Sequence, residues 1–123
     1  MQIIINTSSM VPIYEQIMNR IKEMIIAGEL KDGDILPSVR TLSKDLKISA
    51  LTVKKAYDAL EGEGFTATVH GKGTYVKGEN AAMLAEQRRY EIQDDLEKLV
   101  KKAEQYGISP QEISELLALI LEE

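Results

Sequence analysis

Between residues 12 and 27 the apolar side chains Tyr14, Ile17, Met18, Ile21, Met24 and Ile25 fall at spacings of three and four, which puts them on one face of a helix. Pro12 suits the first turn of that helix, and Gly28 suits the position just past its end. The stripe of Met and Ile reads as core, since methionine fills irregular interiors. After a turn at Lys31-Asp32-Gly33-Asp34, Ser38 is placed to cap a short helix with Val39, Leu42 and Leu46 on its apolar side. Ser49 repeats the arrangement for a helix that turns Val53, Ala56, Tyr57 and Leu60 inward and ends near Gly62 and Gly64. Residues 65–69 and 74–76 are rich in β-formers on either side of His70-Gly71-Lys72-Gly73, the pattern of a hairpin.

A long polar helix is predicted from Asn80 to Tyr106. Its apolar residues Ile92, Leu96, Leu99, Ala103 and Tyr106 alternate spacings of four and three, as in a heptad seam. Gly107 ends it, and Ser109-Pro110-Gln111-Glu112 supplies an N-cap, an N1 proline and a capping-box glutamate for one more helix. That helix carries Ile113, Leu116, Leu117, Ile120 and Leu121 on one stripe. Two helices with one apolar face each cover one another only partly, and so small a hairpin buries too little to stand alone. The leftover surface is expected to meet a second copy, with Ile92, Leu96, Leu99, Ala103, Ile113, Leu116, Leu117, Ile120 and Leu121 as dimerisation residues.

The expected architecture is α+β and mostly α: a winged helix-turn-helix domain over residues 1–77, followed by a two-helix C-terminal dimerisation hairpin over 78–123. Two short helices meeting across about three residues form a helix-turn-helix, whose second helix offers its N-terminal turns to a DNA major groove. Ala50, Leu51, Lys54 and Lys55 lie off the apolar stripe of that second helix and are free to face DNA.

The net charge of −5 argues against nucleic acid until it is divided along the chain. Residues 1–77 carry ten Lys/Arg against nine Asp/Glu, whereas residues 78–123 carry five against eleven. Within residues 38–55, Arg40, Lys44, Lys47, Lys54 and Lys55 face Asp45 alone, and Lys72 and Lys77 lie in a stretch with no acid. Phosphate responds to nearby charge rather than to the total. Charge alone fits a solvated surface equally well. At the hairpin tip, glycines let backbone amides approach a phosphate closely and Lys72 adds charge, although glycines that simply make the turn fit the same residues. His70 suits a phosphate or groove contact as well as a solvent-facing turn.

With one histidine and no cysteine the chain lacks the convergent acid, base, nucleophile or metal ligands of an enzyme, so no catalytic residue, metal or cofactor is expected. Asp94 and Asp95 are adjacent on a helix and point about 100° apart, which suits a solvated face better than a metal. Arg88 and Arg89 read as surface residues. Ile3-Ile4-Ile5 is too short for the core of a signal peptide, and the run from Leu116 to Leu121 is too short to cross a bilayer. The absence of cysteine fits a reducing compartment, and a cytoplasmic location without a membrane partner is expected. The tail has few inward polar groups with which to hold a small-molecule effector. A winged helix used only for protein contacts is the alternative to DNA binding.

Leu36-Pro37-Ser38-Val39-Arg40-Thr41-Leu42, Thr52-Val53-Lys54-Lys55-Ala56-Tyr57, Leu60-Glu61-Gly62-Glu63-Gly64-Phe65 and Gly71-Lys72-Gly73-Thr74-Tyr75-Val76 together resemble the GntR family of regulators, over residues 12–77. The short helical tail, with Pro12-Ile13-Tyr14-Glu15-Gln16 and Lys55-Ala56-Tyr57, is similar to the YtrA branch, whose members lack a large effector domain. The resemblance implies a transcriptional regulator of double-stranded operator DNA that represses a transporter operon, and the two-fold symmetry of the homodimer expected from the tail calls for a near-palindromic operator. It implies DNA contacts at Arg40, Thr52, Lys54 and Gly71, alongside the candidates Ser38, Lys44, Ala50, Leu51, Lys55, His70 and Lys72. Two departures stand out. Many members have arginine where this chain has Ala50, so a base contact is missing there and sequence preference differs. The turn between the helices often has glycine where Lys47 stands, which poses the question of a left-handed residue.

Overall fold

The structure, a computed structural model, describes residues 1–123. It contains α1 (Ile13–Ile26), α2 (Val39–Leu46), α3 (Ala50–Gly62), β1 (Thr66–Val69), β2 (Gly73–Val76), a single 3-10 turn at Gly78–Asn80, α4 (Ala81–Gln105) and α5 (Pro110–Glu122). The chain divides into two compact units, Met1–Leu84 and Ala85–Glu123.

In the first unit α3 is the central element, packed against α1, α2 and β1. Ile17 and Ile21 of α1 meet Val53, Ala56 and Leu60 of α3 in a core from which all five are fully withdrawn. Burying one such aliphatic side chain contributes roughly 1.5–3 kcal/mol. Serine caps fix where the two short helices start: the Ser38 hydroxyl accepts from the Thr41 N–H, and that of Ser49 from the Thr52 N–H. Gly28, at φ 78°, follows the end of α1.

β1 and β2 pair antiparallel, with Thr66 opposite Val76 and Val69 opposite Gly73. A third segment joins them. Leu36 N–H donates to the Thr74 carbonyl and Val76 N–H to that of Asp34, both at 2.8 Å, and Ile35 bridges Tyr75. The turn expected at residues 31–34 therefore leads into an extended edge that carries Leu36 into the core. Ile3 is buried there as well. Reciprocal hydrogen bonds hold its segment: Asn6 N–H donates to Gln16 Oε1 at 2.8 Å, and Gln16 Nε2 donates to the Asn6 carbonyl at 3.0 Å.

The first unit extends past the hairpin. Lys77 N–H donates to the Phe65 carbonyl, Gly78 N–H to Asp32 Oδ1, and Asn80 Nδ2 to the Gly64 carbonyl. Ala81 and Leu84 then pack on the core.

In the second unit, Gly107 at φ 75° ends the turn after α4, and the Ser109 hydroxyl accepts from the Glu112 N–H at 3.2 Å to start α5. The mutual cover expected of this hairpin is slight. Ala103 is its one buried residue, and α5 buries none. Ile92, Leu96, Leu99, Leu116, Leu117, Ile120 and Leu121 are exposed and Ile113 is half-buried. Ala103 is thus covered by its own chain.

Candidate nucleic-acid interface

The turn between α2 and α3 is left-handed at Lys47, with φ 57° and ψ 45°. Lys47 N–H donates to the Lys44 carbonyl and Ile48 N–H to that of Ser43, which satisfies two of the carbonyls left over at the end of α2. Tyr57 fixes the other side of the pair: its hydroxyl donates to the Pro37 carbonyl at 2.7 Å, tying α3 to the residue before the α2 cap. Burial pushes this phenol well above its ordinary value, so it remains a neutral donor.

On α2, Arg40 and Lys44 are exposed. On α3, Ala50, Leu51, Lys54, Lys55 and Asp58 are exposed while Val53, Ala56, Tyr57 and Leu60 are buried. Leu51 is 77% exposed. Thr52 is half-buried, with its hydroxyl 2.8 Å from that of Ser49. The Ser38 hydroxyl is likewise engaged, donating to Thr41 Oγ1 at 2.9 Å. These two hydroxyls therefore serve the helix starts, and the exposed cations of the region are Arg40, Lys44, Lys47, Lys54 and Lys55, against the exposed acids Asp45 and Asp58.

The two lysines of α3 differ in their partners. Lys54 Nζ lies 2.8 Å from Asp58, one helical turn on. Lys55 Nζ lies over the ring of Tyr14, 4.1 Å from its centroid. Neither Asp58 nor Tyr14 was picked out as a site residue from sequence. The four-residue spacing of Lys54 and Asp58 was legible; the Tyr14–Lys55 contact, joining α1 to α3, was not. The Glu15 carboxylate beside the Tyr14 phenol raises its pKa, helped by partial burial and a hydrogen bond between them.

At the wing, pairing of Val69 with Gly73 leaves His70, Gly71 and Lys72 as an exposed tip. Gly71 has φ 79°, and a Cβ added there would meet nothing within 4 Å, so glycine is required by conformation rather than by space. Thr68 N–H reaches Glu61 Oε1 at 3.4 Å, anchoring the wing to α3.

Helix-turn-helix, cap residues and wing coincide with the segment 13–76, which matches the family described as bacterial regulatory proteins, gntR family. The chain belongs to the GntR family. It is 38% identical over 111 residues to the HTH-type transcriptional repressor YtrA of Bacillus subtilis, spanning 90% of this chain and 85% of that protein, so the GntR likeness includes the YtrA-type tail. A solved transcriptional regulator from Oenococcus oeni superposes with a TM-score of 0.73 at 31% identity, covering 95% of this chain and 97% of that one. The DNA-binding domain of AraR, solved in complex with operator ORX1, superposes with a TM-score of 0.55 at 26% identity, covering 61% of this chain and 94% of that one. As a GntR protein the chain is a DNA-binding transcriptional regulator rather than an enzyme. No helix is long and apolar enough to cross a membrane.

Proposed function

We propose that this GntR-family chain is a repressor that reads a near-palindromic operator as a homodimer. Arg40, Lys44, Ala50, Leu51, Thr52, Lys54 and Lys55 face the major groove and its flanking phosphates, Ser38 lies at the start of α2 beside them, and His70, Gly71 and Lys72 of the wing reach the neighbouring backbone. The observation that carries this reading is the run of exposed cations on α2, α3 and the wing tip, on helices whose starts are fixed by the serine caps Ser38 and Ser49. Residues 85–123 serve as the dimerisation tail, since residues 78–84, expected to belong to it, close the first unit instead. Leu96 at 47%, Leu99 at 55%, Leu117 at 45% and Ile120 at 64% exposure leave an apolar surface that a second copy would cover. The target is a transporter operon, as the resemblance to the YtrA branch implies. No cofactor takes part, and the protein works in the cytoplasm.

Selection of bound duplexes from a random pool, followed by titration against salt, tests the reading. Two-fold symmetry requires inverted half-sites about one helical turn apart. With roughly three phosphate contacts per subunit, log affinity falls against log salt with a slope of about −5. Arg40→Ala and Lys54→Ala each weaken binding by about 1–3 kcal/mol if they contact bases. A slope near −1, a selected site without inverted symmetry, or no salt-dependent retention at all would replace this reading with a single-subunit contact or a protein-only module.

A further inference from the structure

Two lysines stand side by side on the exposed face of α3, and the protein restrains them by opposite means. The ammonium of Lys54 is held by a carboxylate, Asp58, at 2.8 Å, so the pair presents little net charge until it opens. The ammonium of Lys55 is held by a neutral ring, 4.1 Å from the Tyr14 centroid. A ring face attracts a cation through its quadrupole, with useful strength within about 6 Å, and leaves the full positive charge available to another partner. Lysine has a flexible stem whose ordering opposes any single contact, so a platform that limits its conformations before binding lowers the penalty of fixing it on a ligand.

The backbone places this platform at the edge of the DNA-facing surface. Tyr14 is in the first turn of α1, and α1 packs along α3. Lys55 lies between the buried positions Val53 and Ala56 in sequence but is itself exposed, on the side of α3 that turns to α1. A phosphate strand flanking the groove that receives α3 would pass this edge.

We infer that Tyr14 is a positioning residue for DNA binding: its ring holds the Lys55 ammonium, unneutralised and pre-oriented, for a backbone phosphate beside the recognition helix. The inference rests on the DNA-binding reading above and adds a residue from outside the helix-turn-helix to it.

The test uses the full chain, a duplex selected from a random pool and a non-specific duplex, with Kd followed by fluorescence anisotropy. Tyr14→Phe keeps the ring and should stay within about twofold of the unmodified protein. Tyr14→Leu loses it and, acting in both subunits of a dimer, should raise Kd about tenfold on both duplexes. In a Lys55→Met background the same Tyr14→Leu change should have no further effect. Because Tyr14 is half-buried and Leu could disturb the fold, a second series places phenylalanine with one, two or three ring fluorines at position 14. Shape is kept while the ring face loses its negative character, and log Kd should rise stepwise with fluorination. An equal loss from Tyr14→Leu with and without Lys55, or a flat fluorine series, would overturn the inference. Failure of the DNA-binding reading is distinct: the unmodified protein itself would then select no duplex.

Discussion

Replacing Lys47 by glycine should stabilise the protein while weakening its hold on DNA. Lys47 occupies φ 57° and ψ 45°, where a side chain places Cβ against the backbone at roughly 1–2 kcal/mol relative to glycine. Glycine forfeits part of that gain, because the unfolded chain has more freedom to lose, by about 0.5–1 kcal/mol. The bonds that define the turn, from Lys47 N–H to the Lys44 carbonyl and from Ile48 N–H to that of Ser43, are backbone bonds that glycine retains. The exposed Lys47 side chain has no buried surface to lose. The net expectation is a stabilisation of about 0.5–1 kcal/mol, which at a slope near 1.5 kcal/mol per molar urea moves the midpoint up by roughly 0.3–0.7 M. Urea unfolding followed by far-ultraviolet circular dichroism, at one fixed protein concentration because a dimer's stability depends on it, measures the shift. Lys47→Ala is the control. Alanine pays the same left-handed penalty, so its midpoint should not rise. A midpoint that falls with glycine, or rises as much with alanine, would refute the conformational argument and point to the loss of the lysine charge as the cause. The same glycine variant should show a shallower salt dependence of DNA binding, since one cation per subunit is gone.

Asp58→Asn should tighten binding to any duplex several-fold at low salt, with the gain fading at high salt, because Lys54 and Asp58 are 61% and 62% exposed and their pair is cheap to open. Anisotropy titrations at two salt concentrations read this, and an unchanged Kd would show that Lys54 does not engage DNA. Thr66→Val should raise stability by about 1 kcal/mol, since Thr66 is 2% exposed and its hydroxyl has no partner. A lower melting temperature would mean that the hydroxyl is satisfied after all, for instance by water. Truncation after Leu84 should give a folded monomer by sedimentation. Truncation after Lys77, which removes Asn80 with its bonds to Glu63 and Gly64 and strips Ala81 and Leu84 from the core, should melt lower. Equal melting temperatures would show that residues 78–84 contribute nothing to the first unit.

Much of this protein was legible in its sequence because the signals act within one turn of chain. Ser38, Ser49 and Ser109 each bond to the N–H three residues on, and apolar spacing of three and four chose the inward face of α3, all within reach of local rules. The GntR motifs sit on those local elements, which is why the family and the exposure of Arg40, Lys44, Lys54, Lys55 and Lys72 could be anticipated. Tertiary structure decided what depends on residues far apart meeting. The sign of φ at Lys47 follows from how α2 must turn to pack on α3, since lysine by itself disfavours the left-handed region. The extended edge at Ile35 and Leu36 exists because β2 offers it hydrogen-bond partners some forty residues away, and Ile3 is buried because Gln16 ties its segment down. The Tyr14 ring meets Lys55 only once α1 lies along α3. In the tail, spacing correctly marked the apolar stripes, but how little α4 and α5 cover each other is set by the crossing of whole helices, which no stretch of a few residues encodes.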